Sequence, residues 1–265
     1  MSDLPHCETL LLSLEAGVLH ITLNRPDSRN AMSLAMVEEL RAVLAAVNDE
    51  LDVRAIVLRG TGGHFCAGGD IKDMATARAQ GEQAYRELNR AFGSLLEEAQ
   101  RAPQVLVAVL EGAVLGGGFG LACVSDIAIA RQEAQFGLPE TSLGILPAQI
   151  APFVVGRIGL TQARRLALTA ARFNGAEAAR LGLVHFCEAS SEALERRLEE
   201  TLAQIRQCAP QANAATKALL LATETENLGS LLDHAAGQFA EAVLGAEGSE
   251  GTLAFVQKRA PKWAQ

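Results

Sequence analysis

The chain of 265 residues is 49% hydrophobic, 20% charged and 4% aromatic, a balance that excludes disorder and fibrous repeats and suffices for one large core. Its 31 acidic and 23 basic residues give a net charge of -8 without any Lys/Arg block, which argues against a nucleic-acid partner. Five scattered cysteines (Cys7, Cys66, Cys123, Cys187, Cys208) form no C-x-x-C pair, the opening MSDLPHCETL has neither a basic leader nor an apolar stretch, and no apolar run reaches the ~20 residues of a membrane span. The expectation is a soluble, cytoplasmic protein with reduced thiols and no membrane partner.

Residues 9 to 24 alternate apolar and polar around Ala16-Gly17, which predicts a strand pair joined by a tight turn. Ser33 is placed to N-cap LAMVEELRAVLAAVNDE, where Met36, Val37, Leu40, Val43, Leu44 and Val47 recur at helical spacing. Ala55 to Leu58 reads as a short buried strand running into the glycine-rich GTGGHFCAGGD at 60 to 70, followed by a polar helical region around 76 to 101. The order then repeats: VLVAVLEG (105 to 112) is a strand, LGGGFG (115 to 120) a glycine loop, and a small-residue helix leads to the strand DIAIA. Such loops at strand ends are where open α/β architectures bind ligands, so a site between the two glycine loops is expected. From about 150 the pattern turns helical in TQARRLALTA, GAEAARLG, SEALERRLEETLAQIRQC and NLGSLLDHAAGQFAEAVLG, with one short strand near Val184 to Phe186.

Neither glycine loop has the spacing of a nucleotide fingerprint. Two readings stay open for them: tight turns, or an oxyanion hole in which N-H groups near Gly69 and Gly117 face an oxygen that gains charge. Glu140 in AQFGLPETSLGILP lies among apolar residues and would serve as a general acid/base if it faced a cleft; as the residue after Pro139 it reads, on pattern alone, first as a helix-entry glutamate. Five histidines (His6, His20, His64, His185, His234) lack metal-ligand spacing, so no metal site is expected, and Cys66, with no base to pair with, reads as a small packed residue.

Five ordered segments, LNRPDSRNAM (23 to 32), FCAGGDI (65 to 71), LGGGFGLA (115 to 122), AQFGLPETSLGILP (134 to 147) and EGTLAFVQKR (250 to 259), together resemble the enoyl-CoA hydratase/isomerase (crotonase) family. The resemblance implies an α/β, crotonase-like fold of repeated β-β-α turns, with a core at 1 to 195 and a helical region at 196 to 265 that mediates a homotrimer or a dimer of trimers. It also implies an acyl-CoA thioester substrate, with coenzyme A as part of that substrate and no separate cofactor. Carried over position by position, Gly69 and Gly117 supply the oxyanion N-H groups and Glu140 is the catalytic glutamate. Arg29, Ala67, Asp70, Ile71 and Lys72 line the CoA, and Phe255 and Lys258 reach the CoA of a neighbouring subunit.

One position departs from the pattern. Two-glutamate hydratases have G-G-G-x-E, and this chain has Gly120 where that glutamate stands. Relatives with only the later glutamate include hydratases and Δ3,Δ2-enoyl-CoA isomerases, and a non-catalytic acyl-CoA-binding trimer is a further alternative. GILPAQIAPFVVGRIG with RRLALTAARFNG is similar to 3-methylglutaconyl-CoA and isohexenylglutaconyl-CoA hydratases, which favours a hydratase acting in leucine or acyclic-terpene catabolism. The isohexenyl form is expected to be slightly favoured, on the expectation that Gly120 and Ala148 leave room for a branched chain.

Overall fold

The computed structural model describes residues 4 to 264; residues 1 to 3 of the expected core and Gln265 of the expected helical region lie outside it. The chain opens with β1 (Leu10–Glu15) and β2 (Val18–Leu23), whose turn places Ala16 and Gly17 both at positive φ, as a two-residue hairpin requires. After α1 (Leu34–Val47) come β3 (Ala55–Gly60), α2 (Ile71–Gln80), α3 (Glu82–Arg101), β4 (Val105–Leu110), β5 (Ala113–Leu115), α4 (Gly117–Val124), β6 (Ile127–Arg131) and β7 (Gln135–Gly137). A single 3-10 turn, Glu140–Leu143, leads to α5 (Ala151–Thr169), β8 (Phe173–Asn174), α6 (Gly175–Arg180), β9 (Phe186–Glu188), α7 (Ser191–Arg206), α8 (Pro210–Ala222), α9 (Leu228–Leu244) and α10 (Ala246–Val256).

Six strands form one sheet in the order β1-β2-β3-β4-β6-β9, parallel except for the opening hairpin, and β5-β7-β8 form a second, smaller sheet. The large sheet is covered on both faces, which is why its central strands read as unbroken apolar runs. Ile56, Leu58, Leu106, Ala108 and Leu110 pack with Met36, Leu40, Val43 and Val47 of α1 and Leu95 and Leu96 of α3. Their neighbours Ala55, Val57, Val107, Val109 and Ile129 pack on the opposite face with Leu194, Leu198, Leu202 and Ile205 of α7. A boundary at residue 195 would therefore cut a helix that closes the sheet. The architecture changes after α7: α8 buries no residue, and α9 and α10 bury only Leu231 and Ala254.

The expected α1 is present with Ser33 accepting a hydrogen bond from Met36 N (3.2 Å) and the same six apolar residues buried. The polar helical region is two helices, because Gly81 at φ 99 turns the chain between α2 and α3. LGGGFG is loop only as far as Gly116; α4 begins at Gly117. No helix is long and apolar enough to cross a membrane among the described residues.

Candidate active site

The two glycine segments run side by side. Cys66 N donates to Ala113 O (2.8 Å) and Leu115 N to Cys66 O (3.0 Å), so the end of the first loop is zipped to β5 and delivered to the start of α4. Gly116 makes the next turn at φ 47 with no room for a side chain: a Cβ there would lie 3.0 Å from Glu140 Oε1 and 3.5 Å from Gly68 Cα. Glu140 and Gly68, 72 residues apart in sequence, therefore both border Gly116.

Gly69 is held by its flanks. Met32 N donates to Gly68 O (2.7 Å) and Asp70 N to Met32 O (3.0 Å), while the N-H of Gly69 itself has no acceptor among the described residues. Gly117 is the first residue of α4, where a helix leaves its N-H groups without intrahelical partners. Gly69 and Gly117 thus each offer a backbone donor without a protein acceptor among the described residues, which is the requirement of the oxyanion reading. Met74 Sδ approaches Gly69, and Met32 Cβ and the Phe92 ring approach Gly117, giving the donors an apolar rim.

Glu140 opens the 3-10 turn after Pro139, so the helix-entry reading and the cleft-facing reading describe the same residue. Its Oε2 is buried without a hydrogen-bond partner. Burial pushes the carboxyl group above its ordinary value, against the weaker opposing pull of its own backbone N-H and the Arg172 guanidinium. The turn is anchored to α5 through Thr141 Oγ1, which donates to Ala167 O (2.7 Å).

Among the expected CoA contacts, Arg29 O accepts from Ala67 N (3.0 Å), and the side chains of Arg29, Ile71 and Lys72 are exposed, Ile71 to 81%; neither cation is paired with a carboxylate among the described residues. Asp70 is different. Its carboxylate is buried, accepts from Lys72 N (2.7 Å) and Asp73 N, and pairs with Arg25 at 2.7 Å, so it caps α2 and locks the loop instead of facing a ligand. Gly120 is also filled: a Cβ there would lie 2.5 Å from Ile150 Cγ2 and 3.3 Å from Leu96 Cδ1. The space expected at this position for a branched acyl chain is occupied by protein. Phe255 (85% exposed) and Lys258 lie at the end of α10, with no hydrogen bond or ion pair to the glycine loops among the described residues.

Cys66 is fully buried, its thiol pushed up to about 11 by burial, in keeping with a packing role. His64 and His185 accept backbone hydrogen bonds from Ala113 and Ala128. Sequence reasoning missed Arg25, Phe92 and Arg172. Arg25 lies two residues after β2, before a proline turn, a place where a loop-locking cation is readable; Phe92 shares a helix face with Leu95, Leu96 and Ala99; no spacing signals Arg172.

The family profile described as Enoyl-CoA hydratase/isomerase matches residues 13–265. An enoyl-CoA hydratase of Alternaria alternata is 34% identical over 91% of this chain and 79% of its own length. Among solved structures, Pseudomonas aeruginosa AtuE is similar at TM-score 0.97 and 81% identity, covering 97% of this chain and 100% of that one. An enoyl-CoA hydratase/isomerase of Marinobacter aquaeolei is similar at TM-score 0.96 and 56% identity, covering 98% and 100%. The fold is crotonase-like.

Proposed function

Because the chain belongs to the enoyl-CoA hydratase/isomerase family, we propose that it hydrates a 2-enoyl-CoA whose acyl chain bears its own carboxylate, a 3-substituted glutaconyl-CoA of the isohexenyl or methyl kind, as in acyclic-terpene or leucine catabolism. The observation that carries this reading is the missing second glutamate: Glu140 stands against Gly116, while the position of a second glutamate is Gly120, packed under Ile150. Two like charges about 5 Å apart at an effective dielectric near 20 repel by about 3 kcal/mol, so a pocket with one carboxylate accepts an anionic acyl chain more readily than a pocket with two. With Gly120 filled, the branched isohexenyl chain draws no support from that position, and the two acyl forms stand level.

In this reading the thioester oxygen lies between the N-H groups of Gly69 and Gly117. Water held by Glu140 adds its oxygen at C3 as its proton passes to Glu140; the C2=C3 pair shifts to the thioester oxygen, and the enolate then takes that proton at C2. A carboxyl group raised by burial suits both transfers. Arg29 and Lys72 face CoA phosphates, and the chemistry calls on no metal or redox cofactor.

The reading includes a cytoplasmic location and assembly as a trimer or dimer of trimers, with Phe255 and Lys258 near a neighbour's CoA. Support for assembly comes from the exposed Leu232, Phe239 and Leu244 of α9 and Phe255 and Val256 of α10, an apolar surface that α8 to α10 leave uncovered. Truncation before Gly251 is expected to weaken CoA binding, and light scattering that finds a monomer in the active enzyme overturns the assembly.

An isomerase would use the same Gly69, Gly117 and Glu140 to move a proton from C2 to C4 without water. The deciding experiment compares kcat/KM for isohexenylglutaconyl-CoA, 3-methylglutaconyl-CoA and crotonyl-CoA, and assays a 3-enoyl-CoA for isomerisation. Crotonyl-CoA winning by about tenfold or more, the low end of the ~10-fold to 200-fold that one methylene is worth in a pocket, rejects the carboxylated substrate. Isomerisation without hydration promotes the isomerase, and no turnover of any thioester promotes the acyl-CoA-binding trimer.

A further inference from the structure

The strand that carries the chain to Glu140 is bordered by an arginine with no hydrogen bond or ion pair among the described residues. β7 and β8 pair antiparallel, Phe136 with Phe173 and Gln135 with Asn174; one step further along this register Arg172 stands opposite Gly137. Gly137 lacks a side chain, and the arginine stem uses that space: a Cβ on Gly137 would lie 2.7 Å from Arg172 Cδ, 3.2 Å from Nε and 3.3 Å from Nη1. The same residue's carbonyl accepts from Gly116 N (3.1 Å), so one strand position borders both the arginine and the turn that Glu140 faces.

The backbone beneath is rigid. Phe136 and Phe173 stack at 5.6 Å between centroids, and Phe119 of α4 meets both rings edge-on at 6.4 and 6.1 Å. The guanidinium is exposed and makes no hydrogen bond or ion pair among the described residues. Of the elements packed around Glu140, the α4 entry presents Gly116 and the first loop presents Gly68, neither charged. On α5, Arg157 is directed to Leu183 O and Ser125 O, Arg165 to Gln162 and Glu177, and Arg164 is exposed beside Leu160, Thr161 and Leu168. Among the described residues, Arg172 is the charged side chain whose pull opposes the effect of burial on the Glu140 carboxyl group.

We propose that Arg172 is a positioning residue for the reaction: its guanidinium, laid across Gly137, supplies the positive charge that offsets the burial of the Glu140 carboxylate beside Gly116. A buried carboxylate with an unpartnered oxygen needs a compensating charge, and one that stays outside hydrogen-bond reach leaves that oxygen free for water. A direct salt bridge would occupy it. The inference rests on Glu140 as the proton-transfer group and is independent of which acyl chain is hydrated.

The test is the pH dependence of kcat/KM for wild type, Arg172→Gln, Arg172→Lys and Gly137→Ala on the best hydrated thioester. Arg172→Gln is expected to lower kcat at neutral pH by about tenfold with KM within about twofold, and to move the acid limb to higher pH. Arg172→Lys restores most of both. Gly137→Ala, which displaces the stem without removing the charge, moves the acid limb the same way by less, and carries the test if Arg172→Gln does not fold. An acid limb unmoved in every folded variant overturns the inference, as does a loss confined to KM for carboxylated substrates. Glu140→Gln with wild-type turnover overturns the assignment of Glu140 itself, a separate failure.

Discussion

The two glycine loops present the N-H groups of Gly69 and Gly117, and they fix their directions by different means. At Gly69 the neighbours on both sides are tied to Met32, and the segment is locked by Asp70, which caps α2 and pairs with Arg25. At Gly117 the donor is simply the first N-H of α4, aimed by the helix and seated under Phe92. The first donor depends on side chains remote from the reacting atoms. The second depends on main chain alone, and so is vulnerable chiefly at its own position.

Glu140 stands at the turn of Gly116 between the loops, and removing its charge gives the largest effect: Glu140→Gln is expected to lower kcat by at least about a hundredfold with CoA affinity unchanged. Near wild-type turnover would leave neither loop a partner. The carboxyl group is raised by burial, so its contribution to stability is full below the ordinary glutamate value and lost as pH rises through the raised one. At neutral pH the ionised group is a burden on the fold. Glu140→Gln should therefore have a Tm no lower than wild type by calorimetry at pH 7.

Gly117→Val tests the helix-aimed donor. A Cβ there meets Phe92 Cζ at 3.3 Å, and loss of one donor raises the barrier by about 3 kcal/mol, on the order of a hundredfold in kcat, in a protein that still folds. Wild-type kinetics in this variant would remove α4 from the site.

Arg25→Met tests the side-chain-locked donor at a distance. It leaves the Asp70 carboxylate buried without its cation, which should lower stability by about 2 kcal/mol and kcat by about tenfold. Burial pushes the Asp70 carboxyl up, but Arg25 and the N-H groups of Lys72 and Asp73 outweigh it and hold the group below its ordinary value. That stabilisation is full above the ordinary aspartate value of about 3.9 and disappears as pH falls toward the depressed one. Urea unfolding below about pH 4 should show a steep acid loss in wild type and a shallower one in Arg25→Met. Equal slopes would separate Arg25 from the loop.

Gly120→Ala gives the smallest effect on chemistry and a distinct one on stability. Its Cβ at 2.5 Å from Ile150 Cγ2 overpacks a closed junction, at about 1 to 3 kcal/mol, with kcat within about twofold. A variant as stable as wild type would mean that the position has room after all.

Local chemistry was enough to read much of this chain. Ser33 and six apolar residues at helical spacing specify α1, and the apolar runs of β3 and β4 specify strands covered on both faces, because a helix cap and a side-chain period are satisfied within a few residues. The five segments from 23 to 259 and the departure at Gly120 were legible for the same reason: they are strings of neighbouring residues. β5, β7 and β8, with three, three and two residues, are too short to carry a period and exist only as partners of one another. Tertiary structure alone decided that Gly69's N-H is left free by Met32, that Asp70 turns to Arg25, and that Ile150 fills the place beside Gly120. It also decided that Arg172 crosses Gly137 on the way to Glu140. Each of these is a contact between segments that meet only when the sheets close, and direction and filled volume at such a meeting are set by both partners together.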